Sequence, residues 1–318
     1  MPSDTATAPR STVHAQALTL RAVDFFSGIG SFAEAVRQTQ APLRTVAAFD
    51  QDRDAQRVYR RNFGLDPSTR TLDSIPLDQI PPADLWWLSP PCQPFTRRGR
   101  QRDVDDPRAA SLLRLTNLIA VVRPPWILIE NVLGFAQSRA RQLLLARLNE
   151  CSYQTRELTL CSTQFGIPMQ RPRWFLVAGR KPLPTIPGPP PPTFRYPLAP
   201  FLDPSSALPS SLTLPPDLAR RHARVFNVVD PADPAAAAIC FTSQYGKCLK
   251  ASGSLLPNPD GSLRRFSPAE ILRLLGFSSP FHLPSGLRLD KAWKLVANSV
   301  DVRCIAHLLR HLFSSNRT

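Results

Sequence analysis

A chain of 318 residues with 43% hydrophobic side chains can build about two domains around ordinary buried cores. No apolar run approaches the roughly 20 residues of a membrane-spanning helix, and the start MPSDTATAPRSTVHAQ lacks the basic and apolar regions of a secretory signal. Of 39 basic residues against 24 acidic ones, 34 are arginine, giving +15, which fits a polyanionic partner such as nucleic acid because guanidinium binds phosphate bidentately and stacks on bases.

With 35 prolines, a GC-rich coding bias is the competing source of the arginine excess. The first 20 residues read as a disordered tail of an intracellular protein, cytoplasmic or nuclear. The cysteines (Cys92, Cys151, Cys161, Cys240, Cys248, Cys304) have no CxxC spacing, and the five histidines do not cluster with them. Neither a metal site nor a disulfide framework is indicated, and reduced thiols are expected.

From residue 21 to 180, short apolar runs alternate with longer amphipathic ones. RAVDFF (21–26), RTVAAFD (44–50), DLWWLS and PWILIE (125–130) read as strands. SFAEAVRQ, DRDAQRVYRRNF (52–63), AASLLRLTNLIAVV and AQSRARQLLLARLNE read as helices. YQTRELTL and RWFLVAG add two further strands. This βαβ alternation predicts an α/β fold with a mostly parallel, doubly wound sheet and ligands at the carboxyl ends of its strands. From Lys181 to about Pro216 the proline-rich stretch cannot form a regular interior and reads as a linker. A small domain over 217–290 follows, in which Ser267 and Glu270 begin SPAEILRLLGF with a capping box. The last segment, KAWKLVANSVDVRCIAHLLRHLF, reads as a helix that returns to the first domain, so 21–180 plus 291–318 form the larger unit.

Four constellations carry chemistry. Asp24-Phe25-Phe26-Ser27-Gly28-Ile29-Gly30 runs from a strand through glycines into a helix, with Asp50 ending the next strand and Asp73 beyond the following helix. Glycines allow close approach to the backbone, and the acidic residue can take ribose hydroxyls. Gly28, Gly30 and Ala33 also satisfy G-x-G-x-x-[GA], which keeps a nicotinamide-dependent oxidoreductase open at this point. SPPCQPFTR fixes Cys92 between prolines at the end of a central strand, as suits a nucleophile. An ordinary thiol needs cationic neighbours to ionise near neutrality, and Arg97, Arg98, Arg171 or Arg173 can supply them. In LIENV, Glu130 follows an apolar strand and is therefore partly desolvated, which favours the neutral acid. In QRPRWFLVAG, Arg171 and Arg173 alternate on one face; they form either a solvated strand face or, beside Cys92, a grip on a base oxygen and a phosphate.

FSGIG (26–30), PPCQPF (90–95), ENV (130–132), the R-x-R of Arg171 and Arg173, and Asn298-Ser299-Val300 occur in the order of the cytosine-5 methyltransferases, which the chain resembles over about residues 21–312. SPPCQPFTR, QFGIP, Cys240-Phe241-Thr242 and FSPAEILRLLGF look most like the transfer-RNA aspartate methyltransferases of that family. The resemblance implies a Rossmann-like fold that uses S-adenosylmethionine instead of a nicotinamide, with a small target-recognition domain. It places the cofactor along Phe26, Ser27, Gly28, Ile29, Gly30, Asp50, Asp73, Ser74 and Pro90, closed by Asn298, Ser299 and Val300. It implies that Cys92 attacks cytosine C6, Glu130 contacts N3 and the exocyclic amine, Arg173 binds O2, and Arg171 supports the loop carrying Cys92. Gln93, Arg97, Arg98, Asn131, Cys240, Phe241 and Thr242 fall on the substrate side.

Three positions depart from the pattern. Ala297 stands where glycine is usual, KASGS replaces Gly-Thr-Gly-Ser, and Gln170-Arg171-Pro172-Arg173 is closer to the DNA enzymes. The expected partner is transfer RNA acted on by a monomer, with no membrane and no metal. Duplex DNA, or a catalytically silent role in binding nucleic acid or chaperoning RNA, are the alternatives.

Overall fold

The elements of the first half follow the predicted alternation. They are β1 (Leu20–Phe25), α1 (Ser31–Thr39), β2 (Leu43–Phe49), α2 (Arg53–Phe63), β3 (Leu85–Leu88), α3 (Ala110–Val122), β4 (Trp126–Asn131), α4 (Arg139–Glu150) and β5 (Gln154–Leu160). Then come β6 (Met169–Gln170) and β7 (Arg173–Gly179). The computed structural model describes residues 19–95, 102–189, 191, 195–204, 208–248 and 250–313. Residues 1–18 of the expected tail lie outside the described residues, and Leu20 belongs to β1.

Six strands form one sheet in the order β2-β1-β3-β4-β7-β5. β2, β1, β3 and β4 are mutually parallel, and β7 runs antiparallel to both β4 and β5. Parallel strands carry helices on both faces, so their sequences are apolar almost throughout. Ala22, Trp87, Leu128 and Phe175 point to one face, where they meet Phe32 of α1 and helical residues from the end of the chain. Val23, Trp86, Ile127 and Leu176 point to the other, against Leu115 of α3 and Leu144 of α4. The reversal of β7 matters most for the site, because it sets the first residue of β7 at the carboxyl end of β4.

Up to Pro215 the proline-rich stretch contains no α-helix or strand among its described residues, as its composition requires. It is nevertheless a packed strap and not a free linker: Ile186 and Leu198 are fully buried, and the His307 imidazole bonds the Pro187 carbonyl at 2.9 Å. Beyond it lie α5 (Pro216–His222), β8 (Asn227–Val228), β9 (Ala238–Ile239), β10 (Ser254–Pro257), β11 (Leu263–Arg265) and α6 (Pro268–Leu274). β11, β10 and β8 form a small sheet, while β9 pairs in parallel with β6 and so joins this region to the edge of the site.

The capping box forms as predicted: the Ser267 hydroxyl accepts from the Glu270 amide at 3.1 Å, and the Glu270 carboxylate accepts from the Ser267 amide at 2.7 Å. Glu270 also takes both terminal guanidinium nitrogens of buried Arg264, each at 2.9 Å, a pairing that the capping pattern does not predict. The terminal segment is two helices, α7 (Leu289–Asn298) and α8 (Val302–Phe313), where one was expected. The break has a local cause. Ser299 is extended (ψ 156°), and the Asp301 carboxylate accepts from the Arg303 amide at 2.9 Å, capping a new helix.

Candidate active site

The turn after β1 departs from ordinary backbone at three alternate positions. Phe26 (φ 58°), Gly28 (φ 53°) and Gly30 (φ 97°) all lie in the left-handed region. At Gly30 space also excludes a side chain, since a Cβ would lie 2.3 Å from the Phe63 ring. The Gly28 amide donates to Asp50 Oδ2 at 2.7 Å, and the Asp52 amide donates to Asp50 Oδ1 at 2.8 Å. Burial pushes the Asp50 carboxyl up, and these two bonds oppose it. Ser27 and Ile29 are buried within the turn, while Asp73 and Ser74 are exposed beyond it, with the Ser111 hydroxyl bonded to Asp73.

Asp24 opens the same motif, although the sequence pattern assigns it no role. It is fully buried at the end of β1, the Tyr59 hydroxyl donates to its Oδ2 at 3.4 Å, and its Oδ1 has no partner. Burial holds its carboxyl well above the usual range. Asn298 is exposed, Ser299 is buried, and the Val300 amide donates to Ser31 Oγ at 3.1 Å. That bond docks the Asn298–Val300 turn on the first residue of α1, directly after the glycine turn. A left-handed turn, a carboxylate bonded to it, an unpartnered buried carboxyl oxygen and exposed polar groups at 73–74 suit a ligand of mixed polarity such as S-adenosylmethionine.

Cys92 sits just past β3. The exit from that strand is pinned by the Ser89 hydroxyl, which donates to the Phe26 carbonyl at 3.1 Å, and by the Phe95 amide, which donates to the Cys92 carbonyl at 2.9 Å. Phe95 then packs edge-on against Phe135 at 4.8 Å, and Gly134 is required because a Cβ there would meet the Phe95 carbonyl at 2.2 Å. Asn131, expected to face the substrate, is 1% exposed. Its side chain donates to the Pro90 carbonyl at 3.2 Å and accepts from the Val132 amide at 2.9 Å, so it ties β4 to the Cys92 turn. Arg97 and Arg98 lie outside the described residues.

Glu130 and Arg173 meet because β7 reverses. Arg173 Nε lies 3.2 Å from Glu130 Oε1, with the two side chains 15% and 9% exposed. Burial pushes the Glu130 carboxyl up, as the apolar strand predicted, while Arg173 and then Arg171 oppose the shift. The Cys92 thiol departs from expectation. Cationic neighbours are present, Arg173 foremost, but burial outweighs them and Glu130 adds to it, so the thiol is raised above its ordinary 9.0.

Arg171 is 3% exposed, and its hydrogen bonds run to groups other than the Cys92 turn it was expected to support. One terminal nitrogen donates to Cys240 Sγ at 3.1 Å and to the Phe241 carbonyl at 3.0 Å; the other donates to the carbonyls of Ala297, at 2.7 Å, and Ser299. Arg173 also reaches Cys240 Sγ, at 3.5 Å. Against the effect of burial, the two arginines hold the Cys240 thiol below its ordinary value. Phe241 is buried against Tyr245 and Phe266. It therefore serves the core, whereas Thr242, bonded through its amide to the Ser252 carbonyl at 2.8 Å, and Gln93 are half-buried.

The profile of the C-5 cytosine-specific DNA methylase family matches residues 20–207. The tRNA (cytosine(38)-C(5))-methyltransferase of Bos taurus is 29% identical, over 92% of this chain and 99% of the relative. A DNA (cytosine-5)-methyltransferase of Dictyostelium discoideum is 28% identical, over 93% and 95%. Among solved structures, a methyltransferase of Entamoeba histolytica superposes with a TM-score of 0.86 at 27% identity, covering 94% of this chain and 99% of the other. Among the described residues, no helix is long and apolar enough to cross a membrane.

Proposed function

The chain belongs to the C-5 cytosine-specific DNA methylase family, and from that premise we propose that this cytosine-5 methyltransferase acts on a cytosine in the anticodon loop of transfer RNA, the aspartate species foremost, through a covalent bond from Cys92. The observation that carries the chemistry is the Glu130–Arg173 pair at the carboxyl end of β4, with Arg173 the strongest cationic influence on Cys92. Cytosine C5 is too weak a nucleophile to take a methyl group unaided. When the Cys92 thiolate adds to C6, the electron pair of the C5–C6 bond moves toward N3, and protonated Glu130 delivers a proton there. Arg173, held by Glu130, is placed to bind the base oxygen O2. Phe26–Gly30, Asp50, Asp73 and Asn298–Val300 would hold S-adenosylmethionine, which would supply an electrophilic methyl group for C5. Loss of the C5 proton to a base then restores the C5–C6 double bond and expels the Cys92 thiolate, and the N3 proton returns to Glu130. Chemistry at C5 and C6 requires a base taken out of its stack, and a half-buried Cys92 beside a buried Glu130 suits an everted target.

Transfer RNA is favoured by the small size of the region beyond the strap, whose sheet has three short strands and offers little surface for reading a major groove. RNA recognition relies on splayed bases and phosphate contacts, which an arginine-rich chain can provide. The Bos taurus relative, a tRNA (cytosine(38)-C(5))-methyltransferase, agrees. Duplex DNA is the second reading, supported by Gln170-Arg171-Pro172-Arg173 and by the Dictyostelium relative. Purified protein offered labelled cofactor with total transfer RNA and CpG-rich duplex DNA in parallel should label the RNA. Label in DNA alone would overturn the RNA reading, and tight binding to both with label in neither would identify a silent binder.

A further inference from the structure

The buried arginine of the R-x-R pair has a bonding pattern that base recognition does not explain. Arg171 touches neither Glu130 nor the Cys92 turn by any hydrogen bond among the described residues. Instead one guanidinium bridges two places that are far apart in the chain. On one side are the carbonyls of Ala297, in the last turn of α7, and of Ser299, just past its end in the turn whose Val300 amide docks on Ser31 beside the glycine turn. On the other are Cys240 Sγ and the Phe241 carbonyl, directly after β9.

The cation suits both ends. The final carbonyls of a helix lack intrahelical donors and carry partial negative charge, so a guanidinium beside them satisfies both needs. Cys240 Sγ accepts a second guanidinium, that of Arg173, which is paired with Glu130. A continuous chain of polar contacts therefore runs from the cofactor turn through Arg171, Cys240 and Arg173 to Glu130. Every side chain in it is at least half-buried, where such bonds are little weakened by water.

We propose that Arg171 and Cys240 are positioning residues that link the Asn298–Val300 cofactor turn to the Arg173–Glu130 base pocket, so that filling one site organises the other. This rests on the assignment of those two sites to cofactor and base. Cys240 is thus an acceptor between two guanidinium groups and not a second nucleophile, and Arg171 acts at a distance from the reacting atoms. Ligands at coupled sites strengthen each other by the same factor in both directions.

The test is a binding cycle on the full chain, using S-adenosylhomocysteine and an anticodon stem-loop RNA bearing the target cytosine, each titrated alone and in the presence of the other. The wild-type protein should bind each ligand about tenfold more tightly when the other is present. Cys240→Ala, which removes the shared acceptor and leaves the α7 carbonyls capped, should bring that factor close to one while the affinity for S-adenosylhomocysteine alone stays within about threefold. Arg171→Lys keeps the charge but cannot span both ends, and should weaken S-adenosylhomocysteine alone as well as the coupling. A merely structural role would lower thermal stability and both affinities together, leaving the factor unchanged. An unchanged factor in Cys240→Ala, or a wild-type factor of one, would overturn the link. Because the cycle reads binding, its failure is distinct from failure of the RNA reading, which shows as wild-type methylation of duplex DNA alone; the cycle is then run with that duplex.

Discussion

Glu130→Gln should change the shape of the pH–rate profile and not only its height. The proposed chemistry needs the Cys92 thiolate and the protonated Glu130 carboxyl at the same time. Burial raises both groups and Arg173 opposes the rise in both, from a starting point at which an ordinary carboxyl titrates about four units below an ordinary thiol. Between the two, the dominant species carries one proton on the pair, and the reactive arrangement, with that proton on Glu130, is a fixed fraction of it. Wild-type single-turnover methyl transfer should therefore be nearly flat across that window. Glutamine removes the carboxyl titration and leaves only the thiol, whose ionised fraction grows about tenfold per pH unit below its pKa. The variant should be slow at every pH but should climb with unit slope from about pH 6.5 to 8.5, which a tritiated-methyl assay with enzyme in excess resolves. A flat variant profile, or a wild-type profile that already rises with unit slope, would refute Glu130 as the proton source.

Cys92→Ala should abolish methyl transfer while calorimetry shows cofactor affinity within a few-fold of wild type, because the thiol acts on the base. Glu270→Ala leaves the Arg264 guanidinium buried without its bidentate partner and should cost about 3–5 kcal/mol by denaturant titration, whereas Arg264→Met with Glu270→Leu should cost clearly less. Gly30→Ala combines a left-handed φ with a Cβ 2.3 Å from Phe63, so it should lower thermal stability and cofactor affinity more than Gly28→Ala, where no atom lies within 4 Å of the added Cβ. Ser267→Ala removes the hydroxyl that caps α6 and should cost about 1 kcal/mol.

The strands and helices of the larger unit were legible because each is specified by its own local pattern. Leu85–Leu88 and Ile127–Ile129 are buried on both faces, which requires unbroken apolar runs, and the helices between them show one apolar stripe each. The strap was half legible. Its prolines correctly excluded regular structure, but burial of Ile186 and Leu198 depends on partners such as α8 that no proline count reveals. The break at Ser299–Asp301 was hidden for a related reason, since apolar residues continue through both helices and the interruption is decided by capping and by contact with Ser31.

Arg171 shows where a local pattern fails most sharply. Period-two alternation would place Arg171 and Arg173 on one face only if both belonged to one strand, but β7 begins at Arg173 and β6 ends at Gln170. Between them Arg171 and Pro172 form a junction, so the two guanidinium groups are free to serve different ends. The partners of the Arg171 guanidinium lie 69, 70, 126 and 128 residues along the chain, beyond any spacing rule. What the sequence does carry is the need for a cation there: α7 ends on carbonyls that no basic residue in its own last turn can satisfy. The charge that answers them has to arrive from another element, and an arginine placed between a two-residue strand and the start of β7 can reach them while its neighbour two positions on holds Glu130.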